Sequence, residues 1–458
     1  MITAKKIFFS GIGGSGCSSM ALWLKSRGFE VSGSDIAQSR VTENLRDNGI
    51  AVQIGHKVSD LLKESDLVVY SSAIKGDSEE LVFARNSGKQ VVKRAKILAM
   101  MAQESENLVA VCGSAGKSST TGFMACVLNA AKKDPSVIVG GVFCGRDSGM
   151  QAGGGEYFLS ECDEYDRSFL EMKNIKLALC TSIEAEHLEI YGNFKGVQDG
   201  FMQFFDGIRQ DGVLVASWAS EGVREIYPQI NRRKVSFGLT ADCDYIAKNI
   251  RYESGKTCFE VSRRGEYLGN VELKIIGEHN VLNALGAIAA GVELGIDFDT
   301  AAKGVGEFEG IKRRIEKIAT IDGITIISDY AHHPTKISAT LSALQKTKSG
   351  RIITVFQPHT FTRTRDFAEN FAGALESGSD IILLTEIYPA RENPIEGVSE
   401  KSIAKFFKNN TSRIIAKNDI AEECGRIAKS GDTIVVMGAG DIDEKIDDLI
   451  SELKNGKK

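Results

Sequence analysis

Two short glycine-rich loops, each placed where an apolar, β-branched run gives way to a helical stretch, restrict this chain more than any other feature. The first, Gly11-Ile12-Gly13-Gly14-Ser15-Gly16, follows KIFFS; the second, Gly113-Ser114-Ala115-Gly116-Lys117-Ser118-Ser119, follows LVAVC. A strand that turns through small residues into a helix directs backbone N–H groups and the helix N-terminus at an anion. Such a loop belongs to a parallel sheet wound with helices, so two of them predict two successive α/β domains.

The rest of the pattern agrees. Apolar runs at KIFFS, FEVSGS, LVVYS and KQVVK alternate with helical stretches, and a second cycle opening at Leu108 adds strands at YFLSE and LALCTS. From about Asp242 to Ile276, KTCFEVS and YLGNVELKI alternate as antiparallel strands do, and HNVLNALGAIAAGVEL reads as a helix. A third winding begins near Lys312, with strands TIISDY, RIITVF, DIILLT and DTIVVM. The polar stretch MAQESEN separates the first two cycles, giving expected domains at 1–104, 105–311 and 312–458. A chain of 458 residues suits three domains of roughly 100–200 residues each.

Composition removes several function classes. With 42% hydrophobic and 26% charged residues, each domain has enough apolar material for a core. No stretch nears the ~20 apolar residues that span a bilayer. The start runs into the first glycine loop rather than an export signal, so no membrane insertion and a cytoplasmic location are expected. The nine cysteines contain no C-x-x-C pair and read as reduced, buried thiols. A net charge of -5 without a long Lys/Arg run argues against a nucleic-acid partner.

Taken alone, the first loop suits a dinucleotide such as NAD, or a tight packing turn without ligand; Asp35, ending VSGSD, sits where a ribose would be held. The Ser71-Ser72 pair after VVY and Lys93-Arg94 after QVV could instead grip a uridine diphosphate. In the second loop Lys117 supplies charge for phosphate and Ser118 a hydroxyl for Mg²⁺, although Val111 stands where a Walker A loop has its first glycine. A solvated lysine at a helix start is the plainer alternative. Two such loops imply two phosphorylated ligands, which fits a nucleotide-linked substrate plus ATP. Glu161-Cys162-Asp163-Glu164-Tyr165-Asp166 follows a strand and could offer carboxylates to Mg²⁺, or form a solvated turn. All six histidines except His56 fall in IEAEH, GEHN, YAHHPT and FQPH, and arginines cluster in GIKRR, HTFTRTR and YPARENP. Some of these are structural histidines or solvated arginines, His333 foremost.

In order, GIGGSG, VSGSD, VVYSSAI, GSAGKSSTT, ECDEYDRSF, IEAEH, GEHNVLN, FEGIKRR, DYAHHPT, FQPHTFTRTRD, YPARENPIEGVS and MGAGDI resemble the Mur ligase family over all three domains. The resemblance implies a UDP-sugar domain, a central ATPase domain and a Rossmann-like domain for the amino acid, with closure assembling the site. It further implies phosphorylation of the UDP-N-acetylmuramate carboxylate by ATP, attack of the L-alanine amine on the acyl phosphate, and release of ADP and phosphate. By the same resemblance Gly11, Gly13, Gly14, Ser15, Gly16, Asp35, Ser71, Ser72 and Arg94 hold the UDP sugar. ATP falls to Gly113, Ser114, Ala115, Gly116, Lys117, Ser118, Ser119, Asn280, Asn283, Arg314 and Asp329. Ser118 and Glu161 ligate Mg²⁺, with His187 at a second Mg²⁺; His332, His359 and Arg363 shape the alanine end. The sequence departs from the family at Ala115 (usually His), Ser118 (Thr), Ala185-Glu186 (Pro-Asp) and Ser328 (commonly Asp). A monomer or weak homo-oligomer is expected. Three rivals stay open: a ligase attaching recycled murein tripeptide, an NAD-dependent oxidoreductase that would leave the second loop idle, and a nucleotide-binding regulator without turnover.

Overall fold

A computed structural model describes residues 2–455 except 147, 254, 255, 391 and 410; at Ser15 it describes the backbone alone. The described residues form three sheets. The first contains β1 (Lys6–Ser10), β2 (Glu30–Asp35), β3 (Ala51–Ile54), β4 (Leu67–Tyr70) and β5 (Gln90–Lys93), all parallel, in the order β3-β2-β1-β4-β5. The chain winds outward from β1 through β2 to β3, then returns to the other side of β1 at β4. This reversal opens a crevice at the carboxyl ends of β1 and β4, where ligands bind such sheets. The Gly11 loop and Ser71 both leave strands there. The short, half-exposed β3 carries only AVQI, too brief for an alternation signal in the sequence.

The second sheet comprises β6 (Asn107–Cys112), β7 (Ser136–Ile138), β8 (Met150–Gln151), β9 (Tyr157–Glu161), β10 (Ile175–Cys180), β11 (Ile208–Ser217), β12 (Arg233–Gly238), β13 (Tyr245–Glu253), β14 (Lys256–Arg263) and β15 (Glu266–Leu273). Its order is β15-β14-β13-β12-β11-β10-β6-β9-β7-β8. The β6, β9, β10 and β11 runs are buried on both faces, as parallel strands covered by helices must be. The β13–β15 strands pair antiparallel, as their alternating pattern foretold.

The first two sheets share one apolar core: Ile7, Phe9 and Trp23 belong to the same buried cluster as Leu108, Phe158 and Phe201. Trp23 meets Phe158 edge-on at 5.8 Å and donates from its indole N–H to Ser136 Oγ at 3.0 Å. Residues up to Ile275, together with His279–Glu309, accordingly form one compact unit. The second unit comprises Ile276–Glu278 and the residues from Gly310 onward. Its sheet contains β16 (Glu316–Ile321), β17 (Ile324–Asp329), β18 (Ile352–Phe356), β19 (Ile381–Leu384), β20 (Ser412–Ile414) and β21 (Thr433–Met437), ordered β16-β17-β21-β18-β19-β20. Only β16 runs antiparallel to its neighbour. No helix among the described residues is long and apolar enough to cross a membrane.

Candidate nucleotide site

The β6 strand ends at Cys112, and after four intervening residues the helix Lys117–Ala130 begins. Two glycines make the turn possible. Gly113 has φ +131°, and a Cβ there would lie 2.2 Å from Thr181 Oγ1; Gly116 caps the helix at φ +83°, and its Cβ would lie 2.7 Å from Asn283 Oδ1. The loop is locked to the segment after β10. Ser114 N–H donates to the Ser182 carbonyl (3.0 Å), Ala115 N–H to Ser182 Oγ (2.9 Å), and Glu184 N–H to Ser114 Oγ (2.9 Å). Thr181 and Ser182 follow LALC directly in the sequence, but nothing local marks them as the loop's clamp.

Lys117 donates from Nζ to the Gly113 carbonyl and to Glu164 Oε2, both at 2.7 Å, with Asp163 Oδ1 at 4.0 Å. Burial alone would lower the lysine pKa, but the Glu164, Asp163 and Glu161 carboxylates outweigh it and hold the ammonium firmly charged. Glu164 is itself buried. Desolvation raises its pKa against the opposing pull of Lys117, and its Oε1 finds no hydrogen-bond partner among the described residues. Next along the helix, Ser118 Oγ donates to both Glu161 oxygens at 3.1 and 2.9 Å, and Gly140 N–H donates to Glu161 Oε2 at 2.8 Å. A lysine, a hydroxyl and a strand-end carboxylate thus converge at one helix start.

His187 takes up a left-handed backbone (φ 58°) and packs edge-on against Tyr165 at 5.1 Å. Its imidazole joins Glu164 and Glu186 in a group whose ligand atoms all lie within 4.8 Å of one another. The donors expected for Mg²⁺ therefore fall into two places, Ser118 with Glu161 and His187 with Glu164 and Glu186. The last two carboxylates were not assigned from the sequence, where Glu186 registered only as a departure from Pro-Asp. Hard oxygen donors and the orphaned Glu164 Oε1 fit a divalent cation. Asn280 and Asn283 are buried on the helix Glu278–Glu293, with Asn283 against Gly116.

At the first loop, Gly11 N–H and Ile12 N–H both donate to the Ser34 carbonyl at 2.9 Å, and Gly13 N–H donates to Asp35 Oδ2 at 2.7 Å. Gly14 precedes the helix Ser15–Ser26 without a side-chain cap. A Cβ on Gly16 would lie 2.5 Å from Arg94 Nη1, so the guanidinium rests over the start of that helix. Gly11, where a Cβ would come within 3.1 Å of Ser71 Cβ, Asp35, Ser71 and Arg94 are thereby gathered at the crevice. Ser72 instead donates to Asp166 Oδ2 at 2.8 Å. His56, the histidine outside every motif, contacts Ser34 Oγ (2.9 Å) and the buried Glu80 carboxylate (3.2 Å) beneath the loop.

In the second unit Asp329 is buried and accepts from Ile315 N–H (2.7 Å), Ala331 N–H (2.8 Å) and Thr340 Oγ1 (3.3 Å). Burial raises its pKa, and Arg314, stacked over Tyr330 at 5.2 Å, opposes the rise. His332 and His359 stand 5.7 Å apart between ring centres, and Arg363 Nη1 donates to His359 Nδ1 at 3.3 Å. His332 Nδ1 lies 2.8 Å from the Tyr330 carbonyl, which can only accept, so Nδ1 carries the proton. Burial, then the Arg363 charge, pushes His332 down to about 2 and His359 to about 4. Both imidazoles are neutral near pH 7. Tyr388, stacked on His359 at 5.7 Å, and Glu392, which accepts from Thr362 N–H at 2.8 Å, complete a cluster the sequence indicated only in part. Arg391 of the YPARENP motif lies outside the described residues.

A Gly-Lys-Ser loop on a wound α/β sheet, met by strand-end carboxylates, defines a multidomain phosphate-loop protein. Family descriptions match in sequence: Mur ligase family, catalytic domain over residues 6–106, Mur ligase middle domain over 111–291, and Mur ligase, glutamate ligase domain over 313–440. A UDP-N-acetylmuramate--L-alanine ligase of Sorangium cellulosum is 38% identical, covering 98% of this chain and 97% of its own. One of Geotalea daltonii is 36% identical, covering 98% of each. The crystal structure of a UDP-N-acetylmuramate-alanine ligase from Thermotoga maritima aligns at TM-score 0.84 and 27% identity, covering 99% of this chain and all (100%) of that one. A murein peptide ligase from Psychrobacter arcticus shares the fold at TM-score 0.71 and 24% identity, over 98% of both chains. The chain belongs to the Mur ligase family.

Proposed function

We propose that this chain is an ATP-dependent ligase that joins the carboxylate of UDP-N-acetylmuramate to the amine of L-alanine through an acyl phosphate, releasing ADP and phosphate. The observation that carries the reading is near-full-length similarity to relatives bearing that activity in their names, on a chain whose Lys117 and Ser118 stand at a helix start beside Glu161 and Glu164. Lys117 would exchange its Glu164 partner for ATP phosphate oxygens, and the Gly113–Gly116 turn would present backbone N–H groups to them. Ser118 and Glu161, and separately His187 with Glu164 and Glu186, would hold Mg²⁺, which when bound would neutralise charge on the transferring phosphoryl group. Asn280 and Asn283 are assigned to adenine, and Arg314 and Asp329 to ATP phosphate and ribose.

The Gly11–Gly16 loop, Asp35, Ser71, Ser72 and Arg94 are assigned to the UDP sugar. His332, His359 and Arg363 are assigned to alanine: an uncharged imidazole can take part in a hydrogen bond with the amine, and the guanidinium suits a carboxylate. Cytoplasmic action as a monomer or weak homo-oligomer accompanies this reading. The experiment is phosphate release from ATP with UDP-N-acetylmuramate, with and without L-alanine, and with murein tripeptide in its place. Alanine-dependent release supports the reading; release with tripeptide alone transfers the chain to the recycling branch, and NADH displacing the sugar nucleotide removes it from ligases. Lys117→Ala should abolish ligation yet leave UDP-sugar affinity nearly unchanged.

A further inference from the structure

Four donors at and beside the first loop are already engaged by the chain's own carboxylates. Gly13 N–H is taken by Asp35 at 2.7 Å, Ser72 Oγ by Asp166 at 2.8 Å, Lys93 Nζ lies 3.8 Å from Asp166, and Arg94 Nη2 lies 3.9 Å from Asp163. Asp163 and Asp166 belong to the second sheet's acidic segment, so that segment reaches across to the first sheet within one compact unit. A carboxylate offers charged acceptor oxygens like those of a phosphate and takes the same donors. The segment is also held in a costly backbone: Asp166 has φ 48° and Arg167 φ 60°, the left-handed region. Ser168 Oγ donates to Asp166 and helps keep it there.

We propose that Asp166, with Asp163 beside it, is an internal stand-in for the diphosphate of the sugar nucleotide, which must expel it in order to bind. The proposal rests on the UDP-sugar assignment above. It gives the acidic segment a second task, because the expelled stretch also carries the counter-ions of the ATP lysine. Asp163 lies 4.0 Å from Lys117 Nζ, and Glu164 receives that nitrogen's hydrogen bond. Arrival of the diphosphate at Ser72, Lys93 and Arg94 thus loosens the carboxylates that hold Lys117, and the two nucleotide sites communicate through the segment from Asp163 to Asp166. A site occupied by its own chain binds ligand with an affinity reduced by the fraction of time it is blocked.

Calorimetric titration of the full chain with UDP-N-acetylmuramate, and separately with UDP, tests this. Removing the Asp166 charge frees a serine and a lysine, so Asp166→Asn should bind both ligands about three- to tenfold more tightly than the parent. Ser168→Ala, which loosens the carboxylate and leaves it in place, should shift affinity the same way by less, and carries the test should Asp166→Asn fold poorly. A purely structural ion pair would instead lower the unfolding midpoint and leave UDP affinity equal or weaker. That result, with the parent binding normally, overturns the stand-in. A parent that binds neither ligand overturns the UDP-sugar assignment itself, and the stand-in with it.

Discussion

Replacing Lys117 with methionine isolates what the Lys117–Glu164 pair does for the fold. The Glu164 side chain is 2% exposed, accepts from Lys117 at 2.7 Å through Oε2, and leaves Oε1 without a hydrogen-bond partner among the described residues. Methionine keeps most of the stem and removes the charge, leaving a buried carboxylate uncompensated, a change that costs about 3–5 kcal/mol in proteins. Proton uptake relieves part of that cost. Burial already raises the Glu164 pKa and Lys117 is the chief opposing influence, so the variant lifts it further. The folded variant then retains a proton that the unfolded chain releases near the ordinary carboxylate pKa of about 4.3. Between that value and the raised native one the folded state binds more protons, so stability is present at low pH and lost as pH rises. The deficit of Lys117→Met against the parent should therefore be small near pH 5 and reach about 3 kcal/mol by pH 8. Urea unfolding read by tryptophan fluorescence measures it, because the chain's 2 tryptophans, Trp23 and Trp218, both lie in the unit that holds the pair. Adding Glu164→Gln to the variant removes the stranded charge and should restore most of the loss at pH 8. Equal deficits at the two pH values, or no rescue by glutamine, refute the reasoning.

Gly116→Ala places a Cβ 2.7 Å from Asn283 Oδ1 at φ +83°, where the backbone alone costs about 1–2 kcal/mol, so ligation should fall at least about tenfold with a raised KM for ATP in steady-state assays. Ser118→Ala removes the hydroxyl that meets Glu161 at 2.9 Å and should raise the Mg²⁺ concentration for half-maximal activity several-fold, whereas Ser118→Thr should not. The second unit favours neutral histidines, with His359 held down at about 4 and His332 at about 2. Their contribution is present above the ordinary imidazole pKa of about 6.5 and lost as pH falls through about 4. Hydrogen exchange of that unit, corrected for intrinsic rates, should show protection falling between pH 6.5 and 4, and His359→Gln should flatten the fall.

What the sequence disclosed and what it hid follow from the range of the interactions involved. Lys117, Ser118 and Glu161 were legible because a glycine turn, a helix start and a strand end are each local, and their meeting follows once β6 and β9 lie side by side in a parallel sheet. The three sheets were legible for the same reason, through runs of β-branched residues long enough to show a period. Glu164 was quoted only as one of several carboxylates, because nothing in ECDEYD says which one is buried under a lysine 47 positions away. The clamp of Thr181 and Ser182 on the second loop, and the seat of His56 on Glu80, depend on contacts between distant segments that leave no spacing signal. The same holds for Asp166. Its contact with Ser72 joins residues 94 apart through a left-handed backbone, and in sequence it is one more acidic residue in a turn. Local chemistry thus announces where a phosphate can be held; the choice of which carboxylates already occupy those holds is made by tertiary packing. The part of the site hardest to read from sequence is accordingly the part that sets its resting state, in which Asp166 holds Ser72 and Glu164 holds Lys117.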